Sequence, residues 1–172
     1  MITQKQFLDL LKPLQSGLFG FAYRMLQNRE DAKDALQELI YRLWKKRKEL
    51  KQNENIRSYC FTMMHHLCID QLRQRSHAGN HRETVLQNPV PEPVAQNPGY
   101  ETTDLINHIR KEVHNLPYKQ RVIIELHDFQ EFNYAEIAKI MDMGVNAVRV
   151  NLSRARAKVA LKFEKEKYHE PK

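Results

Sequence analysis

Four prolines between residues 89 and 98 divide this chain into two parts (Pro89, Pro91, Pro93 and Pro98). Proline lacks an amide donor and disfavours the helical conformation of the residue before it, so no helix runs through this stretch. The surrounding residues also have almost no apolar periodicity. We therefore predict a linker over residues 77–101, semi-extended around its prolines, between a first domain, residues 1–76, and a second, residues 102–172. A length of 172 residues allows two small domains of this kind.

The first part has the apolar periodicity of three helices. Between residues 28 and 48 the apolar positions follow the i, i+3, i+4, i+7 series of a helix with one buried side. They are Ala32, Ala35, Leu36, Leu39, Ile40, Leu43 and Trp44. Asn28 is the predicted N-cap of this helix. A preceding helix is predicted to begin near Pro13, and a following one to span residues 56–75.

The second part also predicts helices, and no stretch of the chain predicts a strand, so the fold class is all-α. A helix is expected after an N-cap at Thr102 or Thr103, and another after Pro117. Asn133, with Glu136 three residues later, has the spacing of a capping box. A turn at residues 142–144 then precedes a last helix from 145 to about 165, which buries its Val148, Leu152, Ala155 and Val159 side.

The last helix is basic on its polar side. Its cations are Arg149, Arg154, Arg156, Lys158 and Lys162, and no acid lies between residues 145 and 161. The whole chain has a formal net charge of +7. A basic helix that follows a short helix and a tight turn has the spacing of a helix-turn-helix, whose partner is duplex DNA. A solvated basic face on a purely structural helix is the alternative interpretation.

Other features exclude several classes of protein. No apolar run approaches the roughly 20 residues of a membrane span, and the first ten residues lack the apolar centre of a signal peptide, so we expect a cytoplasmic protein without membrane insertion. Cys60 and Cys68 have no CxxC partner, which predicts reduced thiols rather than a disulfide or zinc site. The chain contains no phosphate-binding loop and no nucleophile elbow. We expect neither enzymatic activity nor a cofactor nor a metal.

Two surfaces of the first part carry polar side chains in ordered positions. The helix after Asn28 has an acidic beginning and a basic end, which suits either a surface helix stabilised by its dipole or a docking face for a basic protein. The helix over residues 56–75 combines histidines and arginines with Tyr59 and Phe61. Aromatic rings beside cations are typical of sites for single-stranded bases, although both rings are also ordinary core residues.

Taken together, these residues resemble the sigma-70 family of bacterial RNA polymerase sigma factors, in its extracytoplasmic-function (ECF) branch. The first part reads NREDAKDALQELIYRLWKK and then IRSYCFTMMHHLCIDQLRQR, similar to the family's pattern before a Leu-Trp and to its helix ending Leu-x-Ile-Asp-x-x-Arg. The second part reads LPYKQRVIIELHDFQEFNYAEIAKIM and NLSRARAKV, with the family's Glu-Ile-Ala and Arg-Ala-Arg. The resemblance covers both parts and leaves the linker unmatched.

The resemblance implies a transcription initiation factor made of a sigma domain 2 and a helix-turn-helix sigma domain 4. Its implied partners are promoter DNA and core RNA polymerase, through the β′ clamp helices and the β flap, with an anti-sigma factor as a further possible partner. The implied polymerase-binding residues are Asp31, Asp34, Gln37, Glu38 and Tyr41. Those for the −10 element are Asn53, Asn55, Arg57, Tyr59, Thr62, His65, His66, Arg73 and Arg75. Those for the −35 element are Asn133, Tyr134, Val145, Asn146, Arg149, Val150, Ser153, Arg154, Arg156 and Lys158.

This chain departs from the usual family pattern at four positions. His66 and Tyr59 stand where asparagine and tryptophan are common, and Asp142 and Gly144 where glycine and serine are common. The residues alone also fit other functions. One is a stand-alone helix-turn-helix regulator whose first part senses a ligand or dimerises. The others are an adaptor whose basic helix binds an acidic protein, and an RNA-binding regulator.

Overall fold

The computed structural model describes residues 3–48, 50, 55–78 and 100–167, and most of these residues are helical, with no strand among them. They divide into two compact units. The first contains α1 (Gln4–Leu26), α2 (Arg29–Lys45) and α3 (Ile56–Ala78). The second is built on α4 (Tyr100–His114), α5 (Tyr118–Ile124), a π-helical turn (Glu125–Phe129) and α7 (Val145–Lys167). The helix α6 spans Tyr134–Ile140, and its first half also belongs to the second unit. The all-α fold class is confirmed.

The first helix begins well before the predicted position. Thr3 and Gln6 form a reciprocal capping box, and α1 runs from Gln4 through Pro13 without ending there. The prediction of a start near Pro13 is therefore wrong. Phe7 and Leu11 are buried, 2 % and 1 % exposed, so the first three turns pack against the rest of the unit. This packing and the cap offset the roughly 3 kcal/mol that an internal proline costs a helix.

The three helices of the first unit pack around one apolar core. Phe21 is fully buried and meets Phe61 edge to face, with ring centroids 5.7 Å apart. Each helix contributes apolar side chains to this core. The buried residues of α2 are Ala32, Ala35, Leu39 and Leu43. The predicted N-cap of α2 is confirmed, since the Asp31 amide donates to Oδ1 of Asn28 at 3.0 Å.

The second unit has shorter helices and more complex connections. Its first helix, α4, begins at Tyr100, so the predicted start after a cap at Thr102 or Thr103 is wrong. Pro117 precedes α5 as predicted. The core is formed by apolar residues of α5, the π-helical turn and α7. They include Val122, Ile123, Leu126, Val148, Leu152 and Ala155. α5 and α7 are the main packing partners in this unit.

The predicted linker lies largely outside the described residues. Its first two residues end α3 and its last two begin α4. Within the described ranges, no helix is both long enough and apolar enough to cross a membrane.

Candidate functional site

The connection from α6 to α7 forms through local capping. Asn133 and Glu136 make the predicted reciprocal capping box, since each backbone amide donates to the other side chain at 2.9 Å. Asp142 has φ 50°, in the left-handed region, where aspartate is tolerated and glycine is favoured. Gly144 has no positive φ and lies just before α7. The left-handed position of the turn is therefore residue 142.

One side of α7 is buried and the other is exposed, as predicted. Val148, Leu152 and Ala155 are at most 2 % exposed, whereas Val159 is half-buried. Val145 is also half-buried. The exposed residues include Asn146, Arg149, Val150, Ser153, Arg154 and Lys158. This set combines side chains that suit base edges with cations that suit phosphates.

Two of these cations have neither an acidic partner nor a ring contact among the described residues. Arg154 and Lys158 are exposed, and within the described ranges neither pairs with a carboxylate. An unpaired cation on a solvated helix retains its full attraction for a phosphate. Lys162 differs, because its Nζ lies 3.1 Å from the buried carboxylate of Glu112. The unpaired positive charge therefore lies on the middle turns of α7.

Arg156 does not extend freely from α7. Its guanidinium forms a bidentate ion pair with Asp128, which lies in the π-helical turn. Nε donates to Oδ2 at 3.0 Å, and an Nη atom donates to Oδ1. This donation raises the pKa of Arg156. Burial alone would raise the pKa of Asp128, but hydrogen bonds from Arg156 and His127 outweigh burial and hold that pKa below its usual value.

Three further contacts connect this pair back to α7. Nδ1 of His127 lies 2.6 Å from Oδ1 of Asp128. The His127 ring stacks on Tyr134 of α6, with centroids 5.0 Å apart and planes 19° from parallel. The guanidinium of Arg149 lies 5.4 Å from the centre of the same tyrosine ring. Five side chains thus form a series of contacts that begins and ends on α7, the clamp network: Arg156, Asp128, His127, Tyr134 and Arg149.

In the first unit, an ion pair joins two residues that were expected to bind different partners. Arg75 of α3 pairs with Asp31 of α2, and its Nη1 also donates to the Leu26 carbonyl at 2.9 Å. Arg75 is expected at the −10 element and Asp31 at the polymerase. The two side chains therefore bind each other and join the end of α3 to the start of α2.

The other residues expected at the −10 element fall into several environments. Arg73 and His66 are exposed, and Arg57, Tyr59 and Thr62 are half-buried. Oδ1 of Asn55 accepts from the Ser58 amide at 3.1 Å and so caps α3. His65 is only 4 % exposed, and burial, together with the charge of His66, lowers its pKa to about 4. A buried, neutral ring argues against direct contact with DNA. Asn53 lies outside the described residues.

The outer side of α2 has one carboxylate without a partner. Glu38 binds Arg42 at 2.6 Å and Asp31 binds Arg75, which leaves Asp34 exposed with no cation in the described ranges. Gln37 and Tyr41 are exposed beside it. A groove of about 340 Å³ adjoins them between α1 and α2. It is lined by Gln4, Phe7, Leu8, Gln37, Ile40, Tyr41 and Trp44.

Both cysteines are buried in α3, and burial raises the pKa of each thiol to about 12. They are therefore protonated and unreactive at neutral pH. Within the described part of the chain, no three His, Cys, Asp or Glu side chains are placed to hold a metal ion.

The pattern of apolar residues did not reveal His127 and Asp128. They lie in the π-helical turn, where the Gln130 amide bonds the Glu125 carbonyl at 3.0 Å, five residues back. A π turn takes one residue more than an α turn, so the next side chains are rotated by about 100° from their α-helical positions. The only sequence signal was a neighbouring histidine and acid just before the capping box.

Comparison with known proteins identifies the family. Residues 10–78 match the family Sigma-70 region 2, and residues 107–159 match Sigma-70, region 4. The chain belongs to the sigma-70 family. Curated relatives include the ECF RNA polymerase sigma factor SigW of Bacillus subtilis, 25 % identical over 161 residues, covering 89 % of this chain and 86 % of the relative. SigV of the same organism is 26 % identical and covers 86 % and 85 %.

Solved structures share the fold of this sigma factor. RpoE of Bartonella quintana, in complex with the anti-sigma factor NepR, matches with a TM-score of 0.80 at 22 % identity, covering 93 % of this chain and 98 % of RpoE. CnrH, in complex with the cytosolic domain of CnrY, matches with a TM-score of 0.68 at 18 % identity, covering 95 % and 90 %. The chain is thus an ECF sigma factor, a transcription initiation factor that binds core RNA polymerase and directs it to promoters.

Proposed function

We propose that the two units divide promoter recognition between them and that the chain itself performs no catalytic step. Residues 1–76 contact core polymerase and the −10 element, residues 102–172 contact the −35 element, and residues 77–101 connect the two. The protein acts in the cytoplasm, where the polymerase and its template are. The observation that supports this division most strongly is the unpaired basic surface on the middle turns of α7, directly after a capped helix and turn.

For the −35 element, α7 enters the major groove with its first turns towards the bases. Asn146 and Arg149 can form bidentate hydrogen bonds with adenine and guanine, and Val150, 47 % exposed, can touch a thymine methyl group. Val145 and Ser153 border these positions. Arg154 and Lys158 lie farther along the helix and bind phosphates. Asn133 and Tyr134, at the start of α6, adjoin the same groove.

For the −10 element, the exposed residues of α3 are the best supported. His66 and Arg73 face solvent, and the half-buried Tyr59 and Thr62 lie on the same side of α3 by helical spacing. The Arg57 guanidinium lies 5.8 Å from the centre of the Phe61 ring. A ring next to cations suits stacking with an unpaired base, worth about 1–3 kcal/mol per base. Asn55 caps α3 at the start of this proposed surface, and Asn53, outside the described residues, is proposed to bind the same element.

For polymerase binding, the outer side of α2 presents Asp34, Gln37 and Tyr41. The polymerase β′ clamp helices are the proposed partner of this side, and the β flap is the proposed partner of the second unit. An exposed ring, 52 % for Tyr41, beside an unpaired carboxylate can provide both apolar contact and charge complementarity to a basic surface. Asp31 and Glu38 support this surface through their ion pairs. An anti-sigma factor is proposed as an inhibitory partner.

The decisive experiment is in vitro transcription from a genomic promoter library with core polymerase, with and without this chain. We expect defined start sites only when the chain is present. The variant Asp34→Lys should lose both co-purification with the polymerase and transcription while its helical content is unchanged. Asp9→Lys is the matched control, because Asp9 is an exposed acid on α1 outside the proposed surface. Retention of polymerase by Asp34→Lys at moderate salt would place the docking surface elsewhere.

A further inference from the structure

We propose that Asp128 is a specificity-determining residue that never touches DNA. Through the clamp network it sets the orientation of α7 in the −35 element, and Arg156 is its anchor rather than a phosphate contact. This inference rests on the proposed function of α7 as the −35-reading helix.

The first argument is geometric. Arg149 and Arg156 are seven residues apart, almost two full turns, so both project from nearly the same side of α7. Arg156 is held by Asp128, and Arg149 lies over the ring of Tyr134. The helix is therefore held at two points along one line, and rotation about its own axis would break both contacts at once.

The second argument concerns the elements that the network joins. His127 and Asp128 belong to the π-helical turn, and Tyr134 belongs to the first turn of α6. The stacked His127 and Tyr134 rings connect these two elements. Each connection is polar or aromatic and depends on direction, whereas the apolar contacts beneath α7 tolerate small rotations.

The third argument concerns charge. A bidentate pair between a guanidinium and a carboxylate is the strongest and most directional form of ion pair. In this pair the carboxylate is 28 % exposed and the guanidinium side chain 50 %. The carboxylate offsets the positive charge of an arginine paired in this way, so the arginine attracts a phosphate only weakly. Arg154 and Lys158, unpaired on neighbouring turns, remain to bind the backbone.

The test measures how well the holoenzyme prefers its own promoter over the same promoter with a scrambled −35 element. The variants are Asp128→Asn, Arg156→Gln, Arg156→Lys and the double variant Asp128→Asn with Arg156→Gln. Asp142→Asn is the matched control, because it removes an exposed acid before α7 at a left-handed position that asparagine tolerates. Helical content and thermal unfolding are recorded for each protein.

We expect Asp128→Asn and Arg156→Gln to reduce the preference by about 5- to 100-fold, the value of one base contact. The double variant should lose no more than either single variant, because both changes break one interaction. Arg156→Lys keeps the positive charge but cannot form the bidentate pair, so it should lose part of the preference for the cognate −35 element. Asp142→Asn should behave as the wild type.

Different results would overturn the proposal. A phosphate contact at Arg156 predicts equal weakening on both promoters, a salt dependence reduced by about one ion, and wild-type behaviour for Arg156→Lys. A merely stabilising pair predicts a lower unfolding temperature with an unchanged preference. If Arg156→Gln does not fold, Asp128→Asn and Arg156→Lys decide between these outcomes. Failure of the proposed function is distinguishable, because the wild type itself would then show no −35 preference.

Discussion

The two units of this sigma factor are stabilised by different kinds of interaction. The first has helices of 23, 17 and 23 residues around an apolar core, and His65 is the one buried polar residue among those described in it. In the second, α5 and α6 have seven residues each, and four polar or charged residues are buried. These are Glu112, Gln120, Arg121 and Glu125.

This difference follows from helix length. Long helices satisfy their own backbone groups and bury apolar sides directly. Short helices leave a larger share of their terminal amides and carbonyls unpaired. Side chains then supply partners at helix ends, and Nη1 of Arg121 in the short helix α5 donates to the His114 carbonyl at the end of α4 at 3.0 Å. In the second unit, directional polar contacts therefore hold α7 in addition to its apolar packing, whereas in the first unit the Arg75 contacts supplement a mainly apolar core.

The largest expected effect tests the apolar core of the first unit. Phe21→Ala should lower the free energy of unfolding by about 3–5 kcal/mol, because it leaves a cavity at a fully buried ring. The fluorescence of Trp44, the only tryptophan, reports this unit through its contact with Phe7 at 5.1 Å between ring centroids. Leu8→Ala is the control, since Leu8 is 50 % exposed and should lose less than about 1 kcal/mol. Equal losses would contradict a packing-dominated first unit.

The next effect concerns His65, the one buried polar residue among those described in that unit. Because the pKa of His65 is lowered to about 4, the unfolded chain, with a histidine pKa of about 6.5, binds more protons between these values. Stability therefore falls as the pH drops from about 6.5 to about 4, by roughly 3 kcal/mol. Denaturant unfolding followed through Trp44 at several pH values should show this slope.

His65→Phe should flatten the slope in that window, and His66→Gln should largely keep it. The two rings are 5.9 Å apart, but only His65 is buried. A slope that persists without the His65 imidazole would mean that another group in the first unit carries the acid sensitivity.

A smaller effect distinguishes the roles of two cations on the second unit. Arg149→Ala should cost about 1–3 kcal/mol of binding free energy on the cognate −35 element and much less on a scrambled one, because it removes a proposed base contact together with the contact to the Tyr134 ring. Arg154→Ala should weaken binding to the cognate and the scrambled element by similar factors. It should also reduce the salt dependence of binding by about one released ion. Holoenzyme binding to both duplexes over a salt series measures this. Arg73→Ala in the first unit is the control and should leave −35 preference unchanged, whereas identical behaviour of Arg149→Ala and Arg154→Ala would refute the assignment.

The smallest effect compares one helix cap in each unit. Asn28→Ala and Asn133→Ala should each cost about 1 kcal/mol of unfolding free energy. Asn133→Ala should cost somewhat more, because Glu136 also loses the geometry of its reciprocal bond. Thermal unfolding followed by circular dichroism measures both. A larger loss at Asn28 would reverse the conclusion that local polar contacts matter more in the second unit.

Much of the fold and part of the site could be predicted from local patterns. The buried sides of α2 and α7, the cap at Asn28 and the capping box at Asn133 all depend on residues within a few positions of one another. The starts of α1 and α4 were both predicted too late in the sequence. Packing of Phe7 and Leu11 carries α1 through a proline, and α4 begins before the threonines that were expected to cap it.

The sequence by itself determined which segments are helical, which faces are apolar and which family the chain resembles, because these depend on spacing along the chain. Only the tertiary structure decided which charges are available to a partner. Arg156 meets an acid 28 residues away, and Arg75 a carbonyl 49 residues away. Such pairings depend on how helices pack and on the rotation introduced by a π-helical turn, and no local pattern encodes either.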